Sequence, residues 1–366
     1  MGIIFIYGLS VGVYKIFPYE SLNWLNDDLG SNYQVIQNPS LDKFDLYSII
    51  DIKNESDIIK KRVDLIKYVW NSSFGFDLSS DERLKGIPTI IEENILDERF
   101  TNLDNLKQID KFSIEMKHGI NSIVYLFLAK ETNDQLIIYH QGHDGGFING
   151  ESKINYFLDK GYSVMAFSMP LVGMNNQPII NVEHLGPVKF IEHNQFELLE
   201  SENFSPISYF LTPINHSLNY LDENYYFVDY HMIGISGGGW TSAIYPAIDT
   251  RISKSFSVSG SLPLFLRINS QDIGDYEQIH SDLYKTANYL ELYLMSSYGQ
   301  DREFVQVFNK YDPCCFSGTL FHVYENDIKD ILYKLDSGSF DIILDNTHKE
   351  HKISEFTLPL ILEKIQ

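Results

Sequence analysis

Cysteine is almost absent from this chain. Only two occur in 366 residues, side by side at 314 and 315. Adjacent cysteines rarely pair, because disulfides usually span Cα separations of ~4.4–6.8 Å, and two thiols cannot complete a four-ligand zinc site. The sequence therefore excludes a disulfide scaffold, while the compartment stays open because secreted proteins can lack bridges. Basic residues are scarce too: 28 Lys and Arg stand against 50 Asp and Glu, a net charge of −22. Such a surface repels phosphate backbones and anionic lipid, so nucleic acid is not expected as a partner. The charge itself reads as a solubility feature. Apolar runs long enough to cross a bilayer are missing as well. Gly2 to Tyr14 is almost wholly apolar, but it falls short of the ~20 residues of a comfortable span. It follows no basic segment and precedes no small-x-small cleavage site. Residues 1–18 read as a packed helix or a short membrane anchor, which gives a cytoplasmic or membrane-anchored protein. Internal repeats and low-complexity stretches are absent.

What is present is enough apolar material, 44% of the residues, for one large core or a core with a cap. Residues 19–108 carry mostly helical and irregular signals. The clearest helix spans about Asp57 to Trp70, with Ile58, Val63, Leu65, Ile66 and Val69 on one face and Ser56 placed to cap it. From Ile109 the pattern turns to strands. Phe112–Met116 and Ile123–Ala129 form a hairpin-like pair. Leu136–Tyr139, a helix over Glu151–Asp159 and a strand over Tyr162–Phe167 then alternate, as in a mostly parallel α/β sheet flanked by helices. Two segments break the alternation, about 170–205 and about 262–300, and read as lid-like insertions. A helix over about Ile207 to Leu221 is interrupted by Pro213, and further helices are expected over Tyr284–Tyr298, His322–Leu335 and Ser354–Ile365.

The stretch His231-Met-Ile-Gly-Ile-Ser-Gly-Gly-Gly-Trp240 organises this second region. It follows a strand-like run and precedes the small-residue helix Thr241–Ile248. Gly234-Ile-Ser236-Gly-Gly238 fits Gly-x-Ser-x-Gly, a strand-to-helix turn that exposes the serine Oγ. The flanking glycines answer the crowding of strand and helix backbones there, and the serine meets the positive end of a helix dipole. A serine nucleophile needs a base, and the base needs an orienting acid. Asp312 follows the strand Phe304–Phe308, and His351 follows the strand Phe340–Leu344. In a parallel sheet both share the strand edge of Ser236, where ligands bind. His348 competes for the base, and Asp345 and Asp275 compete for the acid. For the anion of the tetrahedral intermediate, Gly237 N–H is one donor. The loop His140-Gln-Gly-His-Asp-Gly-Gly146 supplies the other, from Gln141 or Gly142. Metal binding by His140, His143 and Asp144 lacks a further partner, so neither metal nor cofactor is expected. Trp240 and Met232 read as core, and Cys314-Cys315 as packing beside Asp312.

With these residues in hand, the chain resembles the α/β-hydrolase superfamily from about Ile109 to Ile365, most of all its bacterial esterase-like members with an N-terminal extension. The resemblance implies an α/β-hydrolase catalytic domain over 109–366, a Ser236–Asp312–His351 triad and no cofactor. His-Gln-Gly-His departs from the His-Gly-Gly-Gly of lipases, and the third glycine, Gly239, exceeds what the elbow motif needs. The expected function is hydrolysis of a carboxylic ester, an acetyl ester among the options, through an acyl-enzyme. The substrate is a small molecule or a glycan ester. A serine peptidase or amidase would use the same triad, and a non-catalytic binding protein would need a broken one.

Overall fold

Runs of β-branched and aromatic residues build the sheet. The computed structural model describes residues 45–71, 85–267 and 273–366; the apolar segment considered as an anchor, 1–18, and the stretch to 44 lie outside them. The strands in chain order are β1 (Ile90–Glu92), β2 (Leu106–Glu115), β3 (Asn121–Ala129), β4 (Gln135–His140), β5 (Ser163–Phe167), β6 (Ile179–Val182), β7 (Gly186–Lys189), β8 (Asp229–Ile235), β9 (Ile252–Val258), β10 (Glu303–Asn309) and β11 (Ser339–Asp345). Among the described residues, nine of them form one sheet in the spatial order β1-β2-β3-β5-β4-β8-β9-β10-β11, and β6 pairs only with β7. The first three pairings, β1 with β2, β2 with β3 and β3 with β5, are antiparallel. Every later pairing in that sheet is parallel. The C-terminal ends of β4, β8, β9, β10 and β11 therefore share one edge.

Parallel strands are linked by helical crossovers and so are buried on both faces. Alternate side chains show this directly. Leu136 and Ile138 of β4 and Phe304 and Phe308 of β10 enter one core, while Ile137, Tyr139, Val305 and Val307 enter the other. The helices divide accordingly. α1 (Glu55–Trp70), α3 (Ser208–Asn224), α4 (Gly237–Ile248), α7 (Tyr289–Ser297) and α8 (Glu325–Leu335) pack on the first core. α2 (Glu151–Asp159) and α9 (Thr357–Ile365) pack on the second. Two short helices, α5 (Tyr276–Ile279) and α6 (Ser281–Thr286), precede α7.

Several local expectations are corrected. Asn54, not Ser56, caps α1: its Oδ1 accepts from Asp57 N–H at 3.3 Å while Asp57 Oδ2 accepts from Asn54 N–H at 3.1 Å, a reciprocal box. Ser56 spends its hydroxyl on Asn54 Oδ1 instead. α3 runs through Pro213 without a break; burial of Phe210, Leu211, Ile214 and Leu218 offsets the missing backbone bond. The helix expected over Tyr284–Tyr298 is divided, because Asn288 accepts from Leu290 and Glu291 N–H and starts α7 afresh. The irregular stretch 170–205 holds the β6–β7 hairpin. Among the described residues no helix is long and apolar enough to cross a membrane.

Candidate active site

Ser236 is the single residue between β8 and α4, so α4 starts at Gly237 rather than at Thr241. Its backbone lies at φ +57°, ψ −124°, a left-handed conformation that costs a non-glycine residue of order 1–3 kcal/mol. The neighbours hold it there. Ser236 N–H donates to Val258 O at 2.9 Å, and Trp240 N–H donates to Ser236 O at 2.9 Å. A Cβ on Gly234 would sit 2.0 Å from Gly238 O, and one on Gly238 would sit 2.0 Å from His140 O. Gly239, superfluous by motif, is also constrained. It backs onto Gly260 in the loop after β9, where a Cβ on Gly260 would come within 2.3 Å of Gly239 C. Sequence reasoning missed this contact, because nothing in the spacing links residues 239 and 260.

Asp312 and His351 meet at the edge where β8 delivers Ser236. His351 Nδ1 lies 2.7 Å from Asp312 Oδ2, a hydrogen bond between a fully buried carboxylate and a largely buried imidazole. The other oxygen of Asp312 accepts from the backbone N–H groups of Cys314 at 2.8 Å and Cys315 at 3.2 Å. Burial opposes ionisation of Asp312, but His351 and these donors outweigh it and hold the carboxyl below the ordinary aspartate range. With Nδ1 engaged, His351 Nε2 is buried and unpartnered among the described residues. The competitors are occupied elsewhere. Asp345 binds Thr347, Ser354 and Thr357 and so fixes the start of α9, with His348 Nε2 at 3.2 Å from it. Asp275 faces His143.

The cysteines correct the opening expectation. Cys314 and Cys315 are joined by a disulfide, S–S 2.09 Å, across a Cα separation of 3.8 Å. This bridge ties no distant segments together, so no disulfide scaffold exists. Its sulfurs lie within 4.8 Å of a ring nitrogen of His351.

The loop after β4 approaches the serine through Gly142. A Cβ there would sit 2.5 Å from Ser236 Cβ and 3.1 Å from its Oγ. Of the two residues expected to supply a donor, Gln141 is already committed. Its N–H donates to Phe167 O at 3.0 Å, its Oε1 accepts from Tyr139 Oη, and its Nε2 donates to Asp144 at 2.8 Å. Its backbone N–H is thus engaged with β5, and its side chain bridges Tyr139 and Asp144. His140 is buried, stacks on Phe167 and bonds Gln141 O at 2.9 Å; burial pushes it down to about 4. The grouping of His140, His143 and Asp144 does not form, since His143 faces His193, Asp275 and Glu277 instead. Those three partners come from the irregular insertions, where no spacing announces them. Trp240 and Met232 are fully buried, and Trp240 Nε1 donates to Tyr284 Oη at 2.7 Å.

A mixed sheet with β5 between β3 and β4, a strained serine elbow after β8 and the Asp-His pair after β10 and β11 define the α/β-hydrolase fold. Solved structures of the same fold agree. Acetyl xylan esterase 1 from Thermoanaerobacterium sp. JW/SL YS485 superposes with a TM-score of 0.55 at 15% identity, over 88% of this chain and 98% of that one. The acetyl xylan esterase of Paenibacillus sp. R4 gives 0.55 at 14%, over 88% and 99%. The methylesterase BT1017 gives 0.58 at 15%, over 87% of this chain and 65% of that one. No protein-family model matches the sequence, and no curated protein does either. At such identities the likeness establishes the fold.

Proposed function

We propose that this protein is a serine hydrolase that cleaves a carboxylic ester, with short acyl groups such as acetyl on a carbohydrate as the favoured substrate class. The observation that carries the reading is the buried Asp312–His351 bond, which leaves His351 Nε2 as an unpartnered base. It belongs to the same sheet edge as the strained Ser236. In this reading Ser236 Oγ attacks the ester carbonyl while His351 Nε2 takes its proton. Asp312 keeps the imidazolium oriented and stabilised. The N–H groups of Gly237 and Gly142 receive the oxyanion, in a place where one such donor is worth about 10²–10³ in rate. The tetrahedral intermediate expels the alcohol as His351 returns the proton. Water then repeats the sequence on the acyl-enzyme. The acyl preference rests on the fold neighbours that are acetyl xylan esterases.

The test is hydrolysis of p-nitrophenyl acetate, butyrate and octanoate by the wild type and by Ser236→Ala. Turnover falling off with chain length and vanishing in the variant is expected. Failure of every ester, together with no labelling of Ser236 by a fluorophosphonate, would refute the proposal.

A further inference from the structure

A second constellation stands beside the elbow and takes no part in the mechanism above. His143 comes from the loop after β4, His193 from the 170–205 segment, and Asp275 and Glu277 from the 262–300 segment. Four potential donor atoms converge, all within 4.8 Å of one another. His143 Nε2 lies 3.0 Å from His193 Nδ1, 3.2 Å from Asp275 Oδ2 and 3.2 Å from Glu277 Oε1. His193 Nδ1 lies 3.1 Å from Glu277 Oε2. A tetrahedral zinc ion with bonds of about 2.0–2.1 Å separates its ligands by about 3.3–3.4 Å. The three separations from His143 Nε2 fall just inside that edge length, as does that of His193 Nδ1 from the other oxygen of Glu277.

The hydrogen-bond arithmetic points the same way. His193 Nε2 lies 2.8 Å from the carbonyl of Pro170, which can only accept. A ring proton is therefore on Nε2, and in the neutral ring Nδ1 turns a lone pair inward, toward Glu277 Oε2 at 3.1 Å. An imidazole held by a backbone carbonyl through its other nitrogen is a recurrent support for metal-bound histidine. His143 Nε2 carries one proton at most, whatever the charge on the ring, and His193, Asp275 and Glu277 all lie within reach of it. One proton cannot serve three acceptors. Accordingly Glu277, whose side chain is 0% exposed, has an Oε1 with no hydrogen-bond partner among the described residues, aimed at the cluster. Glu277 also holds a carboxylate wholly out of water, with Asp275 half-exposed at the rim, and a buried carboxylate is costly unless it is paired. A divalent cation serves all four donors at once and cancels that charge.

We propose that His143, His193, Asp275 and Glu277 bind one divalent cation, zinc by the chemistry of an N₂O₂ tetrahedral set. A closed set of four protein ligands is a structural site, not a catalytic one. Its consequence here is positional. The ion ties both insertions to the oxyanion loop, and His143 itself abuts Gly237, whose added Cβ would lie 2.5 Å from the His143 ring. Metal content is read without any turnover, so this site stands or falls separately from the ester-hydrolase reading.

The experiment uses the full chain with any affinity tag removed. Elemental analysis is expected to find one zinc per chain. The chelator-stripped protein reloaded with cobalt(II) should show the intense visible bands of a tetrahedral ion. Adding zinc to the stripped wild type should raise its thermal midpoint. His193→Ala and Glu277→Gln, folded by circular dichroism, should lose the metal and the cobalt bands. Wild type that arrives without metal, gives no cobalt spectrum and keeps one midpoint with or without zinc would overturn the proposal. So would full metal occupancy in both variants. If a variant does not fold, the comparison of stripped with reloaded wild type decides.

Discussion

Replacing Asp312 by Asn changes one atom of a buried side chain and tests how the base is oriented. Two backbone donors, Cys314 N–H at 2.8 Å and Cys315 N–H at 3.2 Å, point at Oδ1. The asparagine must keep its carbonyl there, because an amide NH₂ would face two donors. Its NH₂ then replaces Oδ2, the atom 2.7 Å from His351 Nδ1 and 3.3 Å from Asn309 Nδ2. Against Asn309 the contact becomes donor to donor. Against His351 it can be satisfied only if Nδ1 accepts, which moves the ring proton to Nε2. An imidazole protonated on Nε2 cannot take the proton of Ser236. The loss of kcat expected from the wrong tautomer is about 10⁴, equivalent to about 5.4 kcal/mol at 1.36 kcal/mol per decade. The assay is steady-state hydrolysis of p-nitrophenyl acetate on protein whose near-ultraviolet circular dichroism matches wild type. A folded Asp312→Asn enzyme within about tenfold of wild type would refute the assignment of both Asp312 and His351.

The remaining predictions are independent of that one. Gly142→Ala puts a methyl 2.5 Å from Ser236 Cβ and should lower kcat by about 10² or more, whereas Gln141→Ala, which keeps its N–H, should cost less; equal losses in the same ester assay would remove Gly142 as the second donor. Asp249→Asn strips a buried partner from Arg251, whose Nη2 lies 2.5 Å from Asp249 Oδ2, while Asp222 still holds Nη1 at 2.8 Å. Loss of one member of such a pair costs about 3 kcal/mol, read as a lower urea midpoint at neutral pH. Burial alone would raise the Asp249 carboxyl, but Arg251 and Tyr245 hold it below the ordinary value. The stability it contributes is thus full above the unfolded aspartate pKa of about 3.9. It is lost as pH falls through the lower folded value. The gap between wild type and Asp249→Asn should begin to close only below about pH 4, and a gap that closes at neutral pH would contradict the ion pair.

Much of the fold follows from local pattern alone. Leu136–Tyr139, Phe304–Phe308 and Phe340–Leu344 are short runs rich in apolar residues and bounded by polar turns, and each became a strand; the first two are buried on both faces, which demands such composition, and the third closes the sheet at its edge. The elbow was readable because its chemistry is contiguous. Ser236 must be strained, and only small residues fit at Gly234 and Gly238. Asp312 and His351 stand out by their order and their place after strands, and they meet at 2.7 Å because parallel strands bring their ends to one edge whatever their separation in sequence. Weaker local signals went astray. Ser56 and Asn54 both qualify as caps by type, and only the backbone at Asn54 selects one.

The sequence by itself thus determined the alternation of strands and helices, the serine turn, and the candidate acid and base. These depend on side-chain periodicity or on residues close in the chain. Tertiary structure decided what depends on distance in space between residues far apart in sequence. Phe167 O claims the Gln141 N–H and leaves Gly142 beside Ser236. Gly260 accounts for Gly239. His143, His193, Asp275 and Glu277 meet only because two irregular insertions fold back over one loop. No spacing encodes such a meeting, since hydrogen-bond and metal-ligand geometry is set by convergence of atoms within about 3 Å.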